Sequence, residues 1–107
     1  MTDEEWRELQ AVDRSAGIPI RARFGDEPIL IFETAAGLRG VQAVCPHADH
    51  PLATAQLLGG GQMLRCSFHS YTFRFKDGRG VNCPGYKVAV FDVKAEGGAL
   101  FARRPPQ

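Results

Sequence analysis

Two short runs hold the residues with the clearest capacity for chemistry: Cys45-Pro46-His47 and Cys66-Ser67-Phe68-His69. Two thiolates and two imidazoles spaced as C-x-H and C-x-x-H can hold an iron–sulfur cluster, and Cys₂His₂ also satisfies a tetrahedral zinc site. In an extended loop the side chains of residues i and i+2 leave on the same side, so Cys45 and His47 can face one site together. A tight turn brings Cys66 and His69 together likewise. The chemistry expected of such a set belongs to the metal and not to a protein nucleophile.

The donor types say what a cluster here would do. A [2Fe–2S] unit held by four thiolates carries two negative charges when oxidised, whereas two neutral imidazoles in place of two thiolates leave none, and adding an electron becomes easier. That exchange raises the potential from about −400 mV to between roughly −150 and +300 mV. Zinc differs visibly, since the cluster is coloured and paramagnetic when reduced and zinc is neither. C-x-H followed by C-x-x-H in a turn-rich β chain favours the cluster.

From Val41 to Ala102 the chain reads VQAVCPH, RCSFHSYTF, DGRG and CPGYKVAVFDV, followed by a terminal strand. This resembles the Rieske ferredoxins, in particular the small soluble ferredoxins of bacterial oxygenase systems. Weaker echoes reach the N-terminus, where Trp6, Leu9 and Val12 precede a turn and IPIRARFGDEPILIF. The resemblance implies that Cys45 and Cys66 bind one iron of a [2Fe–2S] cluster and His47 and His69 the other. It also implies an all-β fold: a Rieske-type antiparallel β-sandwich with a small cluster-binding subdomain of two loops, about residues 45–53 and 66–71, in one domain spanning 1–107.

Some positions depart from the family's pattern. Eighteen residues separate His47 from Cys66, and Gly59-Gly60-Gly61 suggests a turn that absorbs the extra length. Ser67 stands where proline is frequent, and Ala53-Thr54-Ala55-Gln56 lacks the glycine that commonly follows the first loop. High-potential Rieske proteins add one cysteine per loop to form a disulfide. Here the matching positions hold His50 or Asp49, and Phe68. Tyr71 and Phe73 replace the Ser and Tyr whose hydroxyls bond cluster sulfur in those relatives, which implies a potential toward the low end of the range.

At 107 residues the chain is expected to fold as one domain with little room for a separate substrate site. Its net charge of +1 argues against nucleic-acid binding. No apolar run approaches a membrane span, and Thr2-Asp3-Glu4-Glu5-Trp6-Arg7-Glu8 lacks a signal-peptide layout. With two of three cysteines on metal, Cys83 has no intramolecular partner, so a reducing cytoplasm is the expected location.

The elements that must position these ligands read as strands. Alternation predicts strands over Ile18–Phe24, Pro28–Glu33, Leu38–Val44, Gln62–Arg65, Tyr71–Phe75, Tyr86–Val93 and Ala99–Arg103. Gly25-Asp26, Ala36-Gly37, Lys76-Asp77-Gly78-Arg79-Gly80 and Glu96-Gly97-Gly98 supply turns. Short strands with turns this frequent point to a sandwich or barrel. Thr2-Asp3-Glu4-Glu5 also fits a capping box for a short helix through Gln10, but the resemblance places a strand at Trp6–Leu9, which is the expectation kept. The tail Arg103-Arg104-Pro105-Pro106-Gln107 reads as a frayed end.

Other residues carry two readings. His50 lies three residues from His47, but the C-x-H frame selects His47, leaving His50 as a loop histidine. Cys83 precedes Pro84 in a segment resembling the loop that covers the cluster, and reads as a spectator thiol. Pro46, Leu52, Phe68, Tyr71 and Pro84 are expected to shield the cluster from water, and some of them read also as an apolar rim for a transient partner. Arg65, Arg74, Lys76 and Arg79 are either a solvated strand face or a surface that steers an acidic partner.

The expected role is single-electron carriage from a flavin- or NADH-dependent reductase to a terminal oxygenase, with no bond-making by the chain itself. The free imidazole nitrogens of His47 and His69 would titrate, so the potential should fall at alkaline pH. Alternatives are the small Rieske-like accessory subunit of a nitrite reductase, or a zinc-stabilised interaction domain without redox function.

Overall fold

The computed structural model describes residues 6–15, 17–34, 37–45, 51–67, 70–83 and 85–105. The strands they form are β1 (Arg7–Glu8), β2 (Gln10–Asp13), β3 (Ile20–Phe24), β4 (Glu27–Thr34), β5 (Gly37–Gln42), β6 (Gln56–Leu58), β7 (Met63–Arg65), β8 (Thr72–Arg74), β9 (Val90–Glu96) and β10 (Ala99–Arg103). Seven make one sheet in the order β1-β10-β9-β5-β4-β3-β2, and β6-β7-β8 make a second. Every pairing is antiparallel. The fold is thus all-β, as expected. Among the described residues no helix is long and apolar enough to cross a membrane.

β1 and β2 occupy opposite ends of the large sheet's strand order, yet only Leu9 separates them in sequence. The sheet therefore curls until its two edges meet at Leu9, whose N–H donates to the Leu100 carbonyl at 2.8 Å. The enclosed face is a core of Leu9, Ala22, Ile29, Ile31, Phe91, Leu100 and Ala102. Stepping one residue along each strand reverses the face. Leu30, Phe32, Val41 and Val90 accordingly point outward, into a second core shared with Leu52, Leu64, Phe73, Phe75 and Val88 of the small sheet and its loops. Ile29, Leu30, Ile31 and Phe32 of β4 are all buried, which is why that strand reads as an unbroken apolar run. Burying each such side chain contributes roughly 1.5–3 kcal/mol.

Arg39 on β5 ties the two layers together. It lies opposite Asp92 of β9 in the register and donates Nη1 to that carboxylate at 2.7 Å. Its Nη2 reaches across to the Phe75 carbonyl at 2.9 Å, just past the end of β8. Asp92 also accepts from Arg103 Nε at 3.3 Å, so one carboxylate is shared by arginines on the two flanking strands.

The strand expectations hold with shifted ends, and the strand at the N-terminus is the outcome: β1 lies within Trp6–Leu9. The capping-box residues, 2–5, lie outside the described residues. Tyr86–Val93 is corrected to Val90–Glu96, because residues 86–89 spend their backbone elsewhere. Tyr86 N–H bonds the Cys83 carbonyl, Lys87 bridges Arg79, and Val88 N–H bonds the Gly78 carbonyl. Gly97 and Gly98, with φ of 60° and 85°, make the two-residue turn whose twist suits a hairpin and which side chains resist.

Candidate metal centre

Each expected cysteine ligand stands at the foot of a loop that backbone pairing pinches shut. β5 runs on through Ala43 and Val44 to Cys45. There a Val44–Pro51 bridge and a Leu52 N–H bond to the Ala43 carbonyl at 2.9 Å bring the loop's ends together. β7 ends at Arg65, and the next residue, Cys66, donates its N–H to the Tyr71 carbonyl at 2.8 Å. Cys45 and Cys66 are both 0% exposed and belong to one core with Leu52, Leu64 and Phe73. No disulfide joins the three cysteines.

His47 and His69, the expected imidazole ligands, lie outside the described residues, as do Pro46, His50, Phe68 and Pro84. Among the described residues no three potential metal ligands cluster. The donor chemistry nonetheless fits a cluster: two thiols withdrawn from water sit beside loops whose sequences supply the two imidazoles.

Three departures from the family pattern find their physical place here. Leu52–Thr54 forms a single 3₁₀ turn closed by Ala55 N–H on the Leu52 carbonyl at 3.1 Å, and Ala55 has φ −68°. No left-handed residue is needed there, so the missing glycine is no obstacle. The Ser67 and Thr54 hydroxyls lie 3.0 Å apart in a hydrogen bond that joins the two loops. Gly59, Gly60 and Gly61, at φ of 62°, 70° and 92°, form the turn between β6 and β7 that takes up the extra length.

Asn82 is a positioning residue that motif reading passed over. Its Oδ1 accepts the Thr72 N–H at 3.0 Å, and its Nδ2 donates to the Ser70 carbonyl at 3.1 Å. One amide thereby clamps the closing side of the Cys66 loop, where Ser70 takes the left-handed φ of 58°. Val81 N–H adds a bond to the Thr72 carbonyl at 2.7 Å. The signal available in sequence was slight: an asparagine in a turn segment, two residues before Pro84.

Leu52 is 0% exposed. That corrects its reading as a rim residue, since a side chain wholly inside the core cannot meet a partner. Tyr71 is half-buried, and its ring lies 5.8 Å from that of the exposed Tyr86. Cys83 is buried in the same core as Cys45 and Cys66, the two expected ligands, 3.9 Å from the Thr72 carbonyl. Burial pushes its thiol above the ordinary value, against a smaller opposing effect of hydrogen bonds at Thr72 and Asn82.

Comparison with known proteins places this geometry. The Rieske [2Fe-2S] domain family model matches residues 5–93, and the chain belongs to that family. Its cofactor is therefore the Rieske-type [2Fe–2S] cluster, and its general role is that of an electron-transfer module. The chain is 30% identical over 92 residues to the 4beta-methylsterol monooxygenase of Methylococcus capsulatus, a match covering 76% of this chain but 24% of that protein. Among solved structures it resembles the terminal oxygenase of carbazole 1,9a-dioxygenase from Nocardioides aromaticivorans (TM-score 0.71, 16% identity, 96% of this chain and 31% of that one). It also resembles a chain from a complex of reduced oxygenase and oxidized ferredoxin in carbazole 1,9a-dioxygenase (TM-score 0.68, 20% identity, 96% and 98%). At these identities the structural likenesses speak for the fold alone.

Proposed function

We propose that this Rieske domain works as a ferredoxin, receiving single electrons from a flavin- or NADH-dependent reductase and passing them to a separate terminal oxygenase. Cys45 and Cys66 would hold one iron of the cluster and His47 and His69 the other, with residues 1–107 acting as one domain and residues 45–53 and 66–71 as its cluster loops. A bound Rieske cluster supplies reversible one-electron chemistry at a potential raised by its two imidazoles.

The observation that carries this reading is the pair of fully buried cysteines at the feet of two pinched loops, in a chain of the Rieske family. Leu52, Leu64 and Phe73 exclude water from the thiol side. The Thr54–Ser67 bond and the Asn82 clamp hold the loops in one arrangement, so little has to move when charge changes. A buried Cys83 outside any disulfide suits a reducing compartment such as the cytoplasm.

A second reading, the Rieske portion of a terminal oxygenase, is favoured by the match to 24% of the monooxygenase. The test is a reconstituted turnover assay with this chain far below the concentration of a candidate reductase and a separate oxygenase. A carrier sustains many turnovers per molecule, with fast reoxidation by the oxygenase in stopped flow. If no separate oxygenase reoxidises the reduced chain, the carrier reading fails.

A further inference from the structure

The hairpin β7–β8 has two ends. Cys66 and Tyr71 close one, and at the other β8 runs into the turn Phe75-Lys76-Asp77-Gly78. That far end borders two concavities that adjoin at Lys76 and Pro105. One is a cleft of about 670 Å³ between the large sheet and the hairpin, with Met63 and Pro105 as its accessible apolar part and Arg39 and Arg74 beside them. The other, of about 320 Å³, is lined by Lys76, Arg79, Lys87 and Arg104. Among the described residues they gather six cationic side chains and two carboxylates, in a chain whose net charge is only +1.

Both carboxylates are already spent. Asp92 is shared by Arg39 and Arg103, and Asp77 takes the Arg74 guanidinium and the Arg79 N–H. Arg104 is paired with Glu27 at 2.8 Å. Among the described residues, no ion pair or hydrogen bond engages the side chains of Lys76, Arg79 and Lys87. Like charges converging on a low-dielectric concavity focus a positive potential there. Arg65, the remaining basic residue of the second loop region, is not part of this group: its guanidinium bonds Gln56 Oε1 at 2.6 Å on the β6 side.

We propose that this groove docks an acidic, partly apolar polypeptide segment of a partner protein, at the end of the hairpin opposite the cluster loops. The chemistry favours carboxylates over phosphate. Phosphate sites draw on clustered backbone N–H groups, and here those of Gly78, Arg79 and Gly80 are already engaged, by the Arg74 carbonyl, Asp77 and the Tyr86 carbonyl. A nucleobase would need an aromatic face, and Phe75, the one aromatic side chain among the described lining residues, is 4% exposed. Separated point charges beside an apolar strip suit instead a chain in which acidic residues alternate with leucine-like ones. Placed away from the cluster loops, the groove lets a partner hold the chain while the electron-transfer end stays accessible.

The test uses the cluster-loaded chain and a fluorescein-labelled peptide rich in glutamate and aspartate with two leucines, read by anisotropy. Binding should weaken at least tenfold between about 20 and about 200 mM salt. The triple variant Lys76→Gln/Arg79→Gln/Lys87→Gln should weaken it at least tenfold, with the visible spectrum unchanged. The control Arg14→Gln/Arg21→Gln/Arg23→Gln makes the same change in net charge elsewhere and should leave binding within twofold. Equal loss in both triples would reduce the effect to net charge and overturn the groove. Preferential binding of ATP, or of phosphatidylglycerol vesicles, over the peptide would overturn the assignment of its occupant.

Discussion

Replacing Asn82 by alanine should loosen the Cys66 loop without touching a ligand. Asn82 satisfies the Thr72 N–H at 3.0 Å and the Ser70 carbonyl at 3.1 Å. Thr72 is 7% exposed, so truncation leaves its amide largely shielded from water, whereas Ser70 is exposed and water can take over its carbonyl. An unsatisfied buried donor costs about 1–3 kcal/mol, and the exposed exchange adds roughly 0.5 kcal/mol. A local loss of about 1.5–3.5 kcal/mol corresponds to ~10–300-fold more of the opened loop. Two measurements check this: hydrogen exchange at the Thr72 amide, and the rate at which excess chelator bleaches the visible chromophore. Both should rise by about that factor. Asn82→Asp retains an acceptor for Thr72 but sets a carboxylate against the Ser70 carbonyl, so bleaching should quicken more than Thr72 exchange does. An alanine variant within twofold of the parent in both assays would refute the clamp.

Arg39→Met removes the Nη2 bond from β5 to the Phe75 carbonyl, together with a pair to Asp92 in which both side chains are about one-fifth exposed. Urea unfolding should show a loss of about 2–3 kcal/mol, and an unchanged midpoint would contradict the tie. Gly80→Ala places a Cβ 2.6 Å from Cys83 Sγ and 2.7 Å from the Cys83 carbonyl oxygen. It should cost about 1–3 kcal/mol, and Cys83→Ala should recover only part because the carbonyl clash remains; full recovery would show the backbone contact to be harmless. The Cys83 thiol titrates higher folded than unfolded because burial disfavours the thiolate. Its contribution to stability is therefore full below the unfolded value and lost as pH rises through the folded one. As pH rises above the ordinary thiol value of about 8.5, the parent should lose more stability than Cys83→Ala, and equal losses would contradict the burial effect.

The fold was legible where strands bury one or both faces. The apolar run of β4, the alternation of β10 and the glycine turns at 25–26 and 97–98 all appear near their expected places. What escaped was structure without a hydrophobic pattern. All four residues of β2 are exposed, and in β6 Leu57 stays accessible while Gln56 pairs with Arg65. Alternation starts β9 too early because Val88 and Val90 continue the pattern of its strand, although Val88 spends its N–H on the Gly78 carbonyl. At the metal centre the ligand spacing carried the family. The braces did not show, because Thr54–Ser67 and Asn82–Thr72 join residues 13 and 10 positions apart through contacts that only the folded loops create. The basic groove was half visible: Arg74, Lys76 and Arg79 are neighbours in sequence, but Lys87 and Arg104 join them only through the return of the chain along β9 and β10.

The proposed ligand set is tested most directly by hyperfine spectroscopy of the reduced protein carrying ¹⁵N-labelled histidine and the substitution His50→Gln, which leaves His47 and His69 as the only histidines of the chain. Two distinct histidine nitrogens coupled to the paramagnetic cluster are the expected result. A single coupling, or none, would contradict ligation by two cysteines and two imidazoles.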